Sequence, residues 1–165
     1  MTTGLKFLIP TLFTGVLLIP SDVTPLSAEA SQAQAGSVDV CAALPREEAM
    51  KILGSKMLRA RSRKLGEADE CVYSDSVLGT ITVLVQAGTS RKEFDEEIKS
   101  LREFGANIVS ASGVGDTAVF YDTRLYTYAR KYRIVITTTP VVRPDEAKER
   151  ANAVALAKGL LARLK

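Results

Sequence analysis

The sequence has no histidine and no tryptophan, and only two of its 165 residues are cysteine. The missing histidine excludes Ser-His-Asp and Cys-His catalysis, histidine-ligated zinc and a histidine pH switch together. Two cysteines cannot build a zinc ribbon or hold an iron–sulfur cluster. The net charge is also small. Twenty-two Lys and Arg against nineteen Asp and Glu leave +3, which demands neither nucleic acid nor an acidic partner. No metal and no cofactor is expected, and no catalytic residue is assigned. What remains is an ordinary globular composition, 46% hydrophobic and 25% charged, sufficient for one domain and hardly for two.

A long hydrophobic run is missing as well. After Lys6, the apolar stretch from Phe7 to Ile19 is broken by Pro10, Thr11, Thr14 and Gly15. It is shorter than the roughly 20 residues that span a bilayer. The small-residue sites Ala28-Glu29-Ala30 and Ala33-Gln34-Ala35 follow, giving the order of a secretory signal peptide over residues 1–30, cut after Ala30 or Ala35. The expected destination is periplasmic or secreted. Val38-Asp39-Val40 ahead of Cys41 lacks the small residues that precede a lipidated cysteine. Removing residues 1–30 leaves 21 cations against 17 anions over 135 residues, with 31–39 as a flexible polar leader and 40–165 as a single domain. In an oxidising compartment an even count of two cysteines reads as one disulfide, Cys41–Cys71, because a redox pair would sit in C-x-x-C spacing.

Beyond Cys41, Pro45, Glu47 and Glu48 open a short helix that ends at Gly54. Lys56, Arg59, Arg61, Arg63 and Lys64 then form a candidate basic patch for anionic headgroups, glycan or nucleic acid. With no aromatic interleaved, the segment also reads as a solvated connection. A hairpin follows from Glu70-Cys71-Val72-Tyr73 to Thr80–Gln86, with Ile81, Val83 and Val85 on one face. Ser90 and Glu93 form a capping box for a second helix with the stripe Phe94, Ile98 and Leu101. Gly113-Val114-Gly115-Asp116 lacks the rest of a dinucleotide fingerprint and leads into the strand Ala118–Tyr121. A second hairpin turns at Arg130 and Lys131. It interleaves Tyr126, Tyr128, Arg130, Tyr132 and Arg133, residue types enriched at binding hot spots and equally selected by strands. From Asp145 a last helix carries the stripe Ala147, Ala151, Val154, Ala157, Leu161 and Leu164. Strand pairs alternating with helices predict an α+β fold: a single domain whose mainly antiparallel sheet packs against two or three helices, with one disulfide.

Cys41, Ile52-Leu53-Gly54, Cys71-Val72-Tyr73, Gly113-Val114-Gly115-Asp116 and the Val154–Leu164 helix occur in an order that resembles small secreted or lipoprotein-type bacterial proteins. Many of these are actinobacterial and carry a domain of unknown function. The resemblance covers residues 40–165 and implies an exported, disulfide-bonded α+β domain; it lends the chain no activity. Three functions are then expected to compete. The first is a non-catalytic cell-envelope domain that binds a protein or envelope ligand through the Tyr/Arg hairpin. The second is a hydrolase using loop carboxylates among Asp75, Asp116 and Asp122. The third is a peripheral protein that meets an anionic membrane surface through the basic segment.

Overall fold

The computed structural model describes residues 36–141 and 145–164. The segment read as a signal peptide and both of its cleavage sites lie outside the described residues. Among the described residues, four helices and seven strands follow in chain order: α1 (Val40–Ala43), α2 (Arg46–Leu53), β1 (Arg59–Leu65), β2 (Ala68–Asp75), β3 (Gly79–Ala87), α3 (Arg91–Glu103), β4 (Ile108–Ser110), β5 (Thr117–Tyr121), β6 (Arg124–Ala129), β7 (Tyr132–Thr139) and α4 (Glu146–Leu161). All strands join one antiparallel sheet in the order β1-β2-β3-β7-β6-β5-β4. Two meanders are thus joined by α3, which carries the chain to the far edge so that β7 returns to pair with β3.

The pleat sends alternate residues to opposite faces, and the two faces are covered differently. On the first, Cys71, Tyr73, Ile81, Val83, Val85, Leu125, Ile134 and Ile136 pack beneath α1, α2 and α4 as the main core. On the second, Phe94 and Ile98 of α3 press on Val119 and Tyr126, with Leu101, Ile108, Tyr121, Tyr128 and Val135 around them. The capping box holds as expected: Ser90 accepts from the Glu93 N–H, and Glu93 reaches back to the Ser90 N–H. That hydrogen bonding holds the Glu93 carboxyl below its ordinary pKa.

The disulfide joins Cys41 in α1 to Cys71 in β2, with Cα atoms 5.2 Å apart. Beside it, the fully buried Tyr73 donates its hydroxyl to the Leu44 carbonyl at the end of α1, and burial pushes the phenol up. The end of the expected leader is pinned by hydrogen bonds. The Val38 N–H donates to Asp69 at 2.8 Å, and Asp39 caps α1 by accepting from the Ala42 N–H at 2.9 Å.

Three sequence expectations need correction. Residues 59–65, read from the sequence as a solvated basic connection, form a strand; every side chain of it is exposed, so no apolar alternation marks it. The single turn of α1 was absent from the expected helices, because four residues leave no periodicity to read. The buried stripe of α4 is Ala153, Leu156, Ala157 and Leu160, while Ala147 and Ala151 are exposed. This helix carries Ala and Leu on several faces, so composition does not choose one.

Candidate functional site

The Tyr/Arg hairpin is divided by its own pleat. Tyr126 is buried under α3, and the Tyr128 ring lies 5.7 Å from that of Phe94 and 5.8 Å from the Arg91 guanidinium. Tyr132 faces the other way, against the main core. Arg133 forms a bidentate pair with Glu97 of α3, which raises the guanidinium pKa further, and Arg130 donates to the Leu164 carbonyl at 3.2 Å. Tyr126, Tyr128 and Arg133 fasten α3 to the sheet, Arg130 ties down the residues that follow α4, and Tyr132 packs into the main core; the structure does not bring the five together as one open surface.

The Gly-x-Gly loop is fastened in the same way. Val114 is buried in the main core, the Asp116 N–H donates to the Tyr128 carbonyl at 2.8 Å, and the Asp116 carboxylate accepts from the Arg130 N–H at 3.2 Å. Gly115, at φ 61°, lies so close to β6 that a Cβ there would sit 2.6 Å from Thr127 Cγ2. The glycine serves a close backbone approach.

The loop carboxylates are committed to turns. Asp75 accepts from the Ser55 hydroxyl at 2.6 Å and from the Val77 and Leu78 N–H groups at 2.6 and 2.9 Å, which hold it below its ordinary pKa. Asp122 occupies the β5–β6 turn at φ 53°. A cavity of about 280 Å³ opens between α2, β3, β7 and α4, lined by Leu53, Leu78, Ile81, Pro140 and Glu149 among others. Burial raises the Glu149 pKa, partly offset by a 3.5 Å hydrogen bond from Thr138. Asp145 also lines this cavity, but its carboxylate caps α4 by accepting from the Lys148 N–H at 3.2 Å. Among the described residues no cluster of His, Cys, Asp or Glu can hold a metal, and no helix is long and apolar enough to cross a membrane.

The basic segment has a different fate. In β1, Arg59, Arg61 and Arg63 alternate onto the face that α3 shares, in register with Ser74, Val72 and Glu70 of β2. The register continues as lateral rows. Arg59-Ser74-Thr80-Thr139 is one, and Arg61-Val72-Thr82-Thr137 is the next. The apolar cluster beneath α3 draws on β4 to β7 and on no residue of β1, β2 or β3. These two rows form a band of four threonines with Ser74 and Val72, ending in arginines. Arg63 pairs with the buried Glu70, while Lys64, on the opposite face, pairs with Asp69 at 3.4 Å. The side chains of Arg59 and Arg61 make no ion pair or hydrogen bond among the described residues. A second cavity of about 290 Å³ adjoins the start of the strand, lined by Arg46, Met50, Lys56, Met57, Leu58 and Arg59.

Sequence reasoning found the arginines and missed the rest of the site. The threonines gave no separate signal, since Thr is an ordinary strand residue. The period-two spacing of Arg59, Arg61 and Arg63 was the available clue that they share a face. No protein-family model matches the chain, and no curated protein or solved structure matches it either.

Proposed function

We propose that this chain is an exported, non-catalytic binding domain of the cell envelope, and that it takes an anionic protein partner on the uncovered half of its sheet. The observation that carries the reading is the pair Arg59 and Arg61, unneutralised beside Arg63 on the half of the α3 face that the apolar cluster beneath α3 does not reach. Guanidinium groups at that spacing suit planar carboxylates, which they bind in bidentate fashion. The Tyr/Arg hairpin is the weaker surface, because its side chains are used internally. Export is supported by the Cys41–Cys71 bond, which belongs to an oxidising compartment, and by the signal-like order of residues 1–30. The resemblance to secreted bacterial domains agrees with it.

The test is binding of soluble polyglutamate, with anionic vesicles in parallel and salt varied from low to physiological. Polyglutamate binding should weaken about tenfold in Arg59→Ala/Arg61→Ala, at roughly 0.7 kcal/mol per exposed arginine. It should be unchanged in Lys131→Ala at the hairpin tip. Vesicle binding without polyglutamate binding would replace this reading with the membrane-surface one.

A further inference from the structure

β1 is an edge strand. It pairs with β2 on one side and with nothing described on the other. A strand in that position presents a row of unpaired N–H and C=O groups along its outer side, a ready template for one more strand. The two edges of this sheet are unlike. β4 has three residues and offers little backbone to pair with, whereas β1 has seven. The start of β1 is held by Leu58, which is buried in the main core, and its length by seven paired positions to β2, so the edge is firmly placed.

Along the α3 side of this edge the side chains of β1 run Arg59, Arg61, Arg63, Leu65. Three cations are followed on that face by the apolar Leu65, 59% exposed, and Met57, 81% exposed, precedes the strand. Alternate side chains on a strand recur about every 6.6–6.8 Å. A strand added beside β1 places its own alternate side chains at that same interval, next to the arginines. Charge then decides what can be added. A second copy of this strand would set arginines against arginines, and like charges directly across a strand pair are destabilising. An acidic strand meets the opposite condition. The chain's own residues 1–35 hold just two acids, Asp22 and Glu29, seven positions apart, and cannot supply an alternating acidic row.

We infer that β1 is a β-augmentation site, which captures an extended peptide of a partner protein carrying Asp or Glu at alternate positions. Main-chain hydrogen bonds along the edge supply affinity, and carboxylates on Arg59, Arg61 and the outer side of Arg63 supply selection. The inference rests on the anionic-partner reading above and adds a geometry to it.

The probe is a labelled seven-residue peptide with Glu at positions 1, 3, 5 and 7 and Thr or Val between, titrated by fluorescence anisotropy at low salt. Two further versions carry backbone N-methyl groups at alternate residues, one set on each edge of the peptide. Augmentation predicts that one N-methylated version loses at least tenfold in affinity while the other binds as the parent does. It also predicts slowed amide exchange confined to 59–65 when the parent peptide binds. Arg59→Glu/Arg61→Glu, at exposed positions that leave the core intact, should lose the Glu peptide and gain the corresponding Lys peptide. Equal binding of both N-methylated versions would overturn augmentation and leave the anionic-partner reading standing. No binding of the Glu peptide or of polyglutamate would overturn both. Binding of anionic vesicles alone would overturn both in favour of a membrane.

Discussion

Opening the Cys41–Cys71 ring is the perturbation with the clearest magnitude. The bond joins positions 30 apart and encloses all of α2 and β1. By loop-closure entropy, a ring of that size restricts the unfolded chain enough to stabilise the folded state by about 3–4 kcal/mol. For a domain of this length that corresponds to a fall in Tm of roughly 10–15 °C when the bond is broken. Cys71 is fully buried and Cys41 partly so, so replacing both by alanine also removes packed sulfur. Reduction of the wild-type protein keeps the sulfur atoms and isolates the ring. Urea unfolding of three samples therefore separates the terms: oxidised wild type, reduced wild type, and Cys41→Ala/Cys71→Ala. Both unringed samples should lose about 3–4 kcal/mol, with the alanine variant lower by up to about 1 kcal/mol more, and their m-values should rise as the unfolded chain expands. A loss below about 1 kcal/mol on reduction, with m unchanged, would refute the argument that this ring constrains the unfolded chain.

Three smaller perturbations check other parts of the structure. Gly115→Ala places a methyl 2.6 Å from Thr127 Cγ2 at a left-handed backbone position and should cost about 2–4 kcal/mol. Gly113→Ala, where the nearest atom is Lys158 Nζ at 3.8 Å, should cost about 1 kcal/mol, and equal losses by thermal unfolding would contradict the close-approach account. The raised pKa of Glu149 means that the folded state prefers its protonated form, so its contribution is full below the ordinary value of 4.5 and is lost as pH rises through the folded pKa. Glu149→Gln should accordingly gain on wild type as pH climbs from 4.5 toward neutrality, and a constant difference in urea midpoints across that range would exclude the linkage. Arg130 and Lys131 both hold positive φ, at 51° and 69°, in a two-residue hairpin turn that favours glycine. Lys131→Gly should raise stability by about 1 kcal/mol in the same assay.

Much of the fold was legible because local signals agreed with one another. Ser90 and Glu93 announced α3, Gly54 ended α2, and the alternation of Ile81, Val83 and Val85 marked a strand with one face in the core. The disulfide followed from a count of two. What was not legible depended on long-range pairing. Tyr126 and Tyr132 are the same residue type in one hairpin, yet the turn at Arg130 and Lys131 sends them to opposite faces, and α3 and the main core claim one each. The hairpin resembled a binding surface because interfaces and half-covered strands select the same residues. β1 was hidden for the complementary reason. A strand that buries nothing has no hydrophobic period, and only its partner β2 identifies it.

That concealment bears on how the arginines are to be understood. Charges on an edge strand are a common defence against unwanted pairing, and defence alone would account for a cation at almost any position along it. Lysine is the usual defensive residue, because its strongly hydrated point charge resists desolvation against a neighbour. Here three of the four cations are arginine, and all three share the face where the sheet lies open. Lys64, on the other face, is already neutralised by Asp69. Arg63 leans on Glu70, so the free charge is concentrated at Arg59 and Arg61, beside Met57 and the cavity against α2. An edge that repels its own copy while presenting planar, bidentate donors on one face is selective as well as protected. The same three side chains can perform both tasks, because rejection of a basic strand and acceptance of an acidic one are the two signs of a single interaction.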